Sequence, residues 1–211
     1  GVQTCALPIS FEEVRECVDL YKSMFTVPDK ENYVYYKRDL SQAELRWFCY
    51  VYRIYSMAKA YDNDEDLHIK TAAAIMKMTE QEFKQLPKAE YKIHRTEVGK
   101  GNNFGNIYGI SAKGFQEYVR LLFGRVITIQ EAEKEQAEFF KIYPEILKAH
   151  QKQKLLIHQV GYSETPFGNR RDLPDLDSSV PYFQAEAERH GINQPVQGAA
   201  GVAMMFSAVI F

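Results

Sequence analysis

The pattern of hydrophobic and polar positions divides the first part of the chain into a helix, a strand and a second helix. Apolar residues fall at helical spacing over Phe11–Phe25, which predicts an amphipathic helix. The segment Tyr33–Arg38 is dominated by strand-favouring residues, so the chain is predicted to reach Asp39 along a β-strand. From Ser41, the expected N-cap, helix-forming residues continue to about residue 61. The predicted buried face of this long helix consists of Leu45, Phe48, Cys49, Tyr52 and Tyr55.

The middle of the chain is predicted to be a series of helices separated by charged or proline-containing breaks. A charged loop over Asp62–Asp66 precedes a helix that begins with the sequence DLHIKTAAAIM. Thr79 and Thr128 each stand three residues before a glutamate, the pattern of a capping box, and therefore predict two helix starts. Pro87 interrupts the first of these helices, and Tyr143-Pro144 ends the second.

The last part of the chain is predicted to form a β-hairpin followed by a helix. Gln159–Leu173 contains two short runs around Pro166–Asn169, which is typical of a hairpin. The apolar run Gly198–Phe211 is shorter than the roughly 20 residues of a membrane-spanning helix, so it is interpreted as a buried helix.

Length and composition leave several classes of protein open. The 211 residues are enough for one large domain or two small ones. A net charge of −2 gives no overall basic excess of the kind found in many nucleic-acid binders, although a basic cleft beside metal-binding acids would cancel in the sum. The three cysteines lack zinc-site spacing and no long apolar run occurs, so a soluble, cytoplasmic protein without membrane association is predicted. The opening GVQTCALPI looks like a translated sequencing adaptor, and residues 1–10 are interpreted as a non-native tail.

Two candidates for catalytic or binding chemistry are Asp39 and a group of three residues on one helix, and a third candidate lies near the end of the chain. Asp39 stands at a strand-to-helix junction, a place where active sites often hold a metal ligand, although a single aspartate at such a place is more often a capping or turn residue. Lys100, Phe104 and Tyr108 are four apart and share one helix face, which suits a nucleotide because the ammonium can meet a phosphate and the rings a base and sugar. An amphipathic helix with an exposed lysine above two core aromatics is the alternative.

Two further features accompany these groups. Several glycines lie in and beside the second group, and since each costs about 1 kcal/mol in a helix relative to alanine, another part of the molecule must approach this backbone closely. Arg189, Asn193 and Gln197 are also four apart, and Pro195 is expected to break the helix between the last two. A capped surface helix is the alternative for this third group.

The string DLSQAELR, from Asp39 to Arg46, resembles the first carboxylate motif of family A DNA polymerases, and Leu40 and Ala43 look most like phage members. The resemblance implies that Asp39 binds two catalytic magnesium ions. It also places Gln42 and Glu44 in the substrate pocket, with Glu44 closing the space that a ribose 2′-hydroxyl would need.

The string KGNNFGNIYG resembles the nucleotide-binding fingers helix of the same family. By this resemblance Lys100 binds the α-phosphate, Phe104 packs against the sugar and base, and Tyr108 lies near the templating base. His68, in an element similar to the family's D-h-H-x-x-T-A, would reach the triphosphate. The family's arginine four residues before the lysine is here Thr96, and Arg95 takes its place only if the helix is bulged or begins late.

The third group resembles family residues that contact the minor-groove side of the primer–template terminus, which makes Arg189, Asn193 and Gln197 candidate DNA ligands. In the hairpin, Arg170 and Arg171 are either contacts to the DNA backbone or members of structural ion pairs. The family's second metal-binding aspartate lies about thirty residues beyond the position of Gln197, so one of the carboxylates that hold the two magnesium ions is expected past Phe211.

The resemblance implies an α+β right-hand polymerase fragment with a partial palm sheet and mainly helical fingers. Residues 11–65 and 158–211 are assigned to the palm, which is truncated, and residues 66–157 to the fingers. The implied activity is DNA-templated DNA synthesis from dNTPs on a primer–template, with this fragment alone expected to be inactive. A single-subunit RNA polymerase and a non-catalytic, nucleic-acid-binding helical module are the alternatives, and Glu44 argues against the first.

Overall fold

A computed structural model describes residue 31 and residues 41–209, and side chains as far as residue 207. The predicted helix at Phe11–Phe25, the predicted strand at Tyr33–Arg38 and the candidate ligand Asp39 all lie outside the described residues.

Two helices, α1 (Ala43–Tyr52) and α2 (Tyr55–Asp62), replace the single long helix predicted from Ser41. The prediction of a continuous helix is wrong because Arg53 adopts the left-handed conformation, with a φ of 57°, and its N–H donates to the Cys49 carbonyl to end α1. Ser41 is not the N-cap; Gln42 is, also left-handed at a φ of 51° and without a side-chain capping bond. The break turns Tyr55, predicted to be buried, outwards, so that 69% of it is exposed.

The next helices are α3 (Leu67–Ile75), α4 (Glu80–Lys84) and α5 (Lys88–His94). The capping box at Thr79 is confirmed, because its side chain accepts from the Glu82 N–H and the Glu82 carboxylate accepts from the Thr79 N–H. Helix α5 runs directly into a π-helix (Arg95–Lys100) and then into α6 (Gly101–Ile107), so helical backbone is continuous from residue 88 to residue 107.

Three longer helices follow: α7 (Ala112–Phe123), α8 (Ile129–Ile142) and α9 (Pro144–Val160). Thr128 forms the second predicted capping box, and Pro144 occupies the first turn of α9, where its missing N–H costs nothing. The predicted hairpin is confirmed. Its strands β1 (Tyr162–Glu164) and β2 (Arg170–Asp172) pair antiparallel, with Ser163 opposite Arg171. A 3₁₀ turn (Pro174–Asp177) then leads to α10 (Pro181–Val209).

Helix α10 continues through Pro195, so the predicted break is wrong. Proline lacks the N–H that would bond to the carbonyl four residues earlier, which is that of Gly191. That carbonyl instead accepts from Ser163 Oγ at 2.8 Å and from Gln153 Nε2 at 3.1 Å. The neighbouring Ile192 carbonyl accepts from the Tyr52 hydroxyl at 2.5 Å. Side chains of the hairpin, α9 and α1 therefore satisfy the backbone around the proline.

The largest hydrophobic cluster joins helices from both ends of the described segment. Leu45 and Phe48 of α1 share it with Ile107 at the end of α6, Tyr143 beside α9 and Val196 of α10. Because these side chains are fully buried, the cluster fixes the start of α1 relative to the end of α6 and to α10. Within the described residues, no helix has the length and apolar character needed to cross a membrane.

Candidate active site

Glu44, Tyr108 and Gln197, three predicted site residues from distant parts of the sequence, lie together at the hydroxyl of Tyr108 and form the Tyr108 cluster. Tyr108 caps the end of α6 and donates to Glu44 Oε2, in the first turn of α1, at 2.5 Å. The side chain of Gln197 on α10 lies near the same hydroxyl and acts to lower the pKa of Tyr108. Burial, followed by the hydrogen bond and charge of Glu44, raises the pKa of Tyr108, so the phenol remains a donor at neutral pH. This contact holds the Glu44 carboxylate in one place.

A cationic and aromatic surface extends from Tyr108 along the helix towards Arg95. Lys100 is exposed, and its Nζ lies 5.7 Å from the centre of the Phe104 ring, within the range of a cation–π contact. The Phe104 ring is in turn 6.0 Å from the imidazole of His68 on α3. The structure thus brings Lys100, Phe104 and His68 together, beside the Tyr108 cluster.

The π-helix compensates for the spacing of Arg95 and Lys100, which are five residues apart instead of the family's four. A π-helix closes its turn between residues five apart, whereas an α-helix closes it between residues four apart. Arg95 and Lys100 are the two ends of this segment, so they stand one turn apart. Both cations also lower the pKa of His68, which places both close to that imidazole. The bulge considered from sequence is therefore present.

Asp66 fixes the side chain of Arg95. Its Oδ2 accepts from Arg95 Nε at 2.8 Å and from Nη2 at 2.6 Å, while its Oδ1 caps α3 by accepting from the His68 N–H at 2.9 Å. Burial raises the pKa of Asp66, but the hydrogen bonds and charge of Arg95 outweigh it and hold that pKa below its usual value. Arg95 is thus held against the start of α3, on the same side as His68.

The predicted close approach to the glycine-rich helix is confirmed. A Cβ at Gly99 would stand 2.0 Å from the carbonyl oxygen of His68, and one at Gly105 would stand 2.8 Å from Phe115 Cδ2. Glycine at residue 99 therefore lets the π-helix lie directly against the backbone of α3. This contact is what places His68 next to Arg95 and Lys100.

His68 is a neutral side chain inside this surface. It is only 4% exposed, and burial lowers its pKa to about 4, with Arg95 and Lys100 acting in the same direction and Asp66 opposing them. Its Nδ1 lies 2.9 Å from Nδ2 of Asn103. At neutral pH His68 can therefore offer a hydrogen bond but not a positive charge.

The other predicted residues lie around the Tyr108 cluster. The Gln42 side chain accepts from the Tyr61 hydroxyl at 2.9 Å. Asn193 is half-buried, and its Oδ1 is buried without a hydrogen-bond partner in the described part of the chain. Arg189 lies about two turns before Gln197 on α10. Among the described residues, no hydrogen bond joins Arg189 to the Tyr108 cluster.

Both hairpin arginines have partners within the chain. Arg170 pairs with Glu164 at 2.5 Å and covers the Tyr162 ring, while Arg171 Nη2 lies 3.3 Å from His190 Nδ1. Arg170 thus forms an ion pair within the hairpin, and Arg171 forms a hydrogen bond with α10.

Sequence reasoning missed the buried asparagines of α6, namely Asn102, Asn103 and Asn106, all of which are fully buried. The only available signal was the presence of three amides within one short helical segment. Asn102 donates to Glu135 at 2.9 Å, and Glu135 also pairs with Arg125. The amides thus anchor the polar side of α6 to α8.

The residues that the structure describes contain no group of three or more His, Cys, Asp or Glu side chains able to hold a metal ion. Asp39, the predicted metal ligand, lies outside them. The described side chains do not by themselves fit a magnesium ion, which requires near-octahedral oxygen ligation.

Comparison with known proteins accounts for this arrangement. Residues 5–209 match the model of the family described as DNA polymerase family A. The chain belongs to DNA polymerase family A. The α+β polymerase architecture expected from sequence is confirmed as well.

Several bacterial members of family A are similar to this chain. DNA polymerase I of Rhizobium leguminosarum is 34% identical over 162 residues, which cover 77% of this chain and 15% of the relative. DNA polymerase I of Bacillus caldotenax is 29% identical over 198 residues, which cover 92% of this chain and 20% of the relative. The chain thus spans at most about a fifth of these family A relatives.

A solved family A structure shares the fold. It is the POL domain of Pol1 from M. smegmatis, in complex with DNA primer-template and dNTP. The two chains superpose with a TM-score of 0.63 at 28% identity, over 77% of this chain and 26% of the other.

Proposed function

We propose that this chain forms the nucleotide-binding part of a DNA-templated DNA polymerase, which transfers dNTPs to the 3′ end of a primer. The observation that carries the proposal is the meeting of Glu44, Tyr108 and Gln197 at one hydroxyl, next to the surface of Arg95, Lys100 and Phe104. The similarity to a polymerase solved with primer-template and dNTP supports the same assignment.

The cationic and aromatic surface suits a triphosphate. Phosphoryl transfer depends mainly on positioning and on stabilising negative charge, so an exposed Lys100 and a fixed Arg95 are suitable phosphate ligands. Phe104 offers a ring on which a base or sugar can pack. His68 contributes a neutral hydrogen-bond donor between the two cations.

Glu44 is proposed to select deoxyribose. Its carboxylate is held by Tyr108 at 2.5 Å and so cannot swing aside without breaking a hydrogen bond to a charged acceptor. A ribose 2′-hydroxyl at this place would collide with the carboxylate. Gln42 is assigned to the same pocket, held by Tyr61.

The remaining assignments extend the proposal to DNA and metal. Arg189, Asn193 and Gln197 would follow the minor groove of the primer–template terminus. Asp39 is proposed to bind magnesium. We assign residues 11–65 and 158–211 to the palm and residues 66–157 to the fingers. A cytoplasmic location and a phage-like origin remain predictions, and the relatives described above are bacterial.

Primer extension by the full-length gene product tests the proposal. We expect extension with dNTPs and very little with ribonucleotides, and we expect Glu44→Ala to raise ribonucleotide use relative to dNTP use. Gln81→Ala, at an exposed position on α4 away from the site, is the matched control and should leave the ratio unchanged. Preferential use of ribonucleotides by the unaltered protein would instead indicate an RNA polymerase, and absence of any extension would indicate a non-catalytic module.

A further inference from the structure

A chain of buried hydrogen bonds ends at the imidazole of His68. The Tyr143 hydroxyl lies 3.3 Å from Thr71 Oγ1, Thr71 Oγ1 donates to Asn103 Oδ1 at 2.7 Å, and Asn103 Nδ2 lies 2.9 Å from His68 Nδ1. Tyr143, Thr71 and Asn103 have no exposed surface, and His68 has 4%. Water therefore does not take part in these bonds.

The protons in this chain can point in only one direction. Burial raises the pKa of Tyr143 to about 12, so its hydroxyl keeps its proton, and Thr71 is its only hydrogen-bond partner in the described part of the chain. Thr71 must accept that proton because a buried donor without an acceptor is costly. The single Thr71 proton then goes to Asn103 Oδ1, which leaves the amide NH₂ facing His68.

This direction selects one form of the histidine. An amide NH₂ can only donate, so Nδ1 of His68 must accept and its single ring proton must sit on Nε2. Among the described residues, no hydrogen bond is made to Nε2. That nitrogen lies across the ring from Asn103, and the ring adjoins Phe104 at 6.0 Å and is close to Lys100 and Arg95.

We propose that Asn103 is a positioning residue for nucleotide binding: it holds His68 in the Nε2–H tautomer, so that a neutral imidazole donates to an oxygen of the bound triphosphate. Thr71 and Tyr143 fix the orientation of the Asn103 amide and so act one and two steps further away. This inference rests on the proposed function, because it takes His68 to be a ligand of the triphosphate.

A double-mutant cycle in the full-length gene product tests the positioning role. The four proteins are the wild type, Asn103→Leu, His68→Ala and the double variant, and the measured quantity is the dissociation constant of dNTP from the primer–template complex. We expect Asn103→Leu to weaken dNTP binding about tenfold when His68 is present, because the hydrogen bond that would be lost runs from His68 Nε2–H to a charged triphosphate oxygen. The same substitution should have almost no effect when His68 is alanine.

Asn106→Leu is the matched control. It removes the same kind of buried amide from the same helix, but Asn106 bonds with Asn102 and Gln136 rather than with His68. Its effect on dNTP affinity should be the same with and without His68. If Asn103→Leu behaves as Asn106→Leu does, with equal effects in both backgrounds, the positioning role is refuted.

The tautomer itself provides a second readout. In protein with ¹⁵N-labelled histidine, with the His68 signals assigned from the His68→Ala variant, the wild type at pH 7.5 should show a protonated Nε2 and an unprotonated Nδ1. Thr71→Val leaves the asparagine in place but frees its amide to turn over, and it should yield a mixture of tautomers even if Asn103→Leu does not fold. A wild-type signal from protonated Nδ1, or an unaltered tautomer in Thr71→Val, would overturn the inference.

The two proposals fail in different ways. If His68→Ala leaves dNTP affinity unchanged, His68 is not a ligand and the proposed function of this residue fails. If His68→Ala weakens binding while the Asn103 effect is fully additive with it, only the positioning role fails.

Discussion

Replacing Gly99 by alanine should both destabilise the chain and disturb the cationic and aromatic surface that is proposed to bind the nucleotide. The new Cβ would stand 2.0 Å from the His68 carbonyl oxygen and 2.8 Å from its carbonyl carbon. Ordinary contact begins at 3.4 Å, so the π-helix and α3 would have to separate by 3.4 − 2.0 = 1.4 Å. Both partners are backbone, so no side chain can rotate away to make room.

The size of the effect follows from this geometry. Overpacking of a core typically costs about 1–3 kcal/mol, and a backbone-to-backbone collision belongs at the upper end of that range. For a chain of this size each kcal/mol corresponds to roughly 2–4 °C in Tm. Gly99→Ala should therefore lower the Tm by about 6–12 °C. The same displacement moves Lys100 away from His68, so nucleotide affinity should also fall.

Gly201→Ala is the matched control, because Gly201 lies within α10 and a Cβ there meets nothing within 4 Å. It should stabilise the chain by about 0.5–1 kcal/mol, the usual gain of alanine over glycine in a helix. Thermal unfolding followed by circular dichroism measures both variants. If Gly99→Ala unfolds at the temperature of the wild type or above it, the close packing of the π-helix on α3 is refuted.

Three further predictions concern charge and hydrogen bonding. Lys100→Ala should lower catalytic efficiency far more than primer–template affinity, because the proposed partner of the ammonium is the triphosphate; equal losses in extension and filter-binding assays would contradict this. Tyr108→Phe should raise ribonucleotide use less than Glu44→Ala does, since it frees the carboxylate without removing it; an unchanged ratio in extension assays would show that the 2.5 Å contact does not fix Glu44. Burial lowers the pKa of His150 to about 4, so its contribution to stability is complete above pH 6.5 and falls by about 2 kcal/mol at pH 5. His68 has a similarly lowered pKa and adds a loss of its own, so urea unfolding should show a decrease about 2 kcal/mol smaller in His150→Gln than in the wild type, and equal decreases would contradict the assignment.

Much of this architecture could be predicted from sequence because the signals are local. The capping boxes at Thr79 and Thr128 depend on residues three apart, and the hairpin depends on a short turn between two runs, so both were predicted correctly. The glycines around Gly99 also predicted a close backbone contact correctly, although not that the partner would be α3.

The errors arise where tertiary contacts decide the outcome. Arg53 is a helix-tolerant residue, so the left-handed conformation with which it ends α1 does not follow from its helix propensity. Pro195 was expected to end its helix, because the sequence does not reveal that Ser163 and Gln153 reach the carbonyl it leaves free. The role of Asn103 was missed for the same reason, since its partners stand 35 and 32 positions away in sequence.

The proline in α10 also determines how firmly that helix is placed. A regular helix uses its carbonyls internally and can slide or turn against its neighbours at the cost of side-chain packing alone. Here three side chains from α1, α9 and the hairpin bind two carbonyls next to Pro195, so any translation or rotation of α10 breaks several hydrogen bonds at once. The segment of α10 that carries Gln197 is therefore fixed relative to the helix that carries Glu44, and the proposed sugar pocket and the proposed minor-groove contacts should move only as one body.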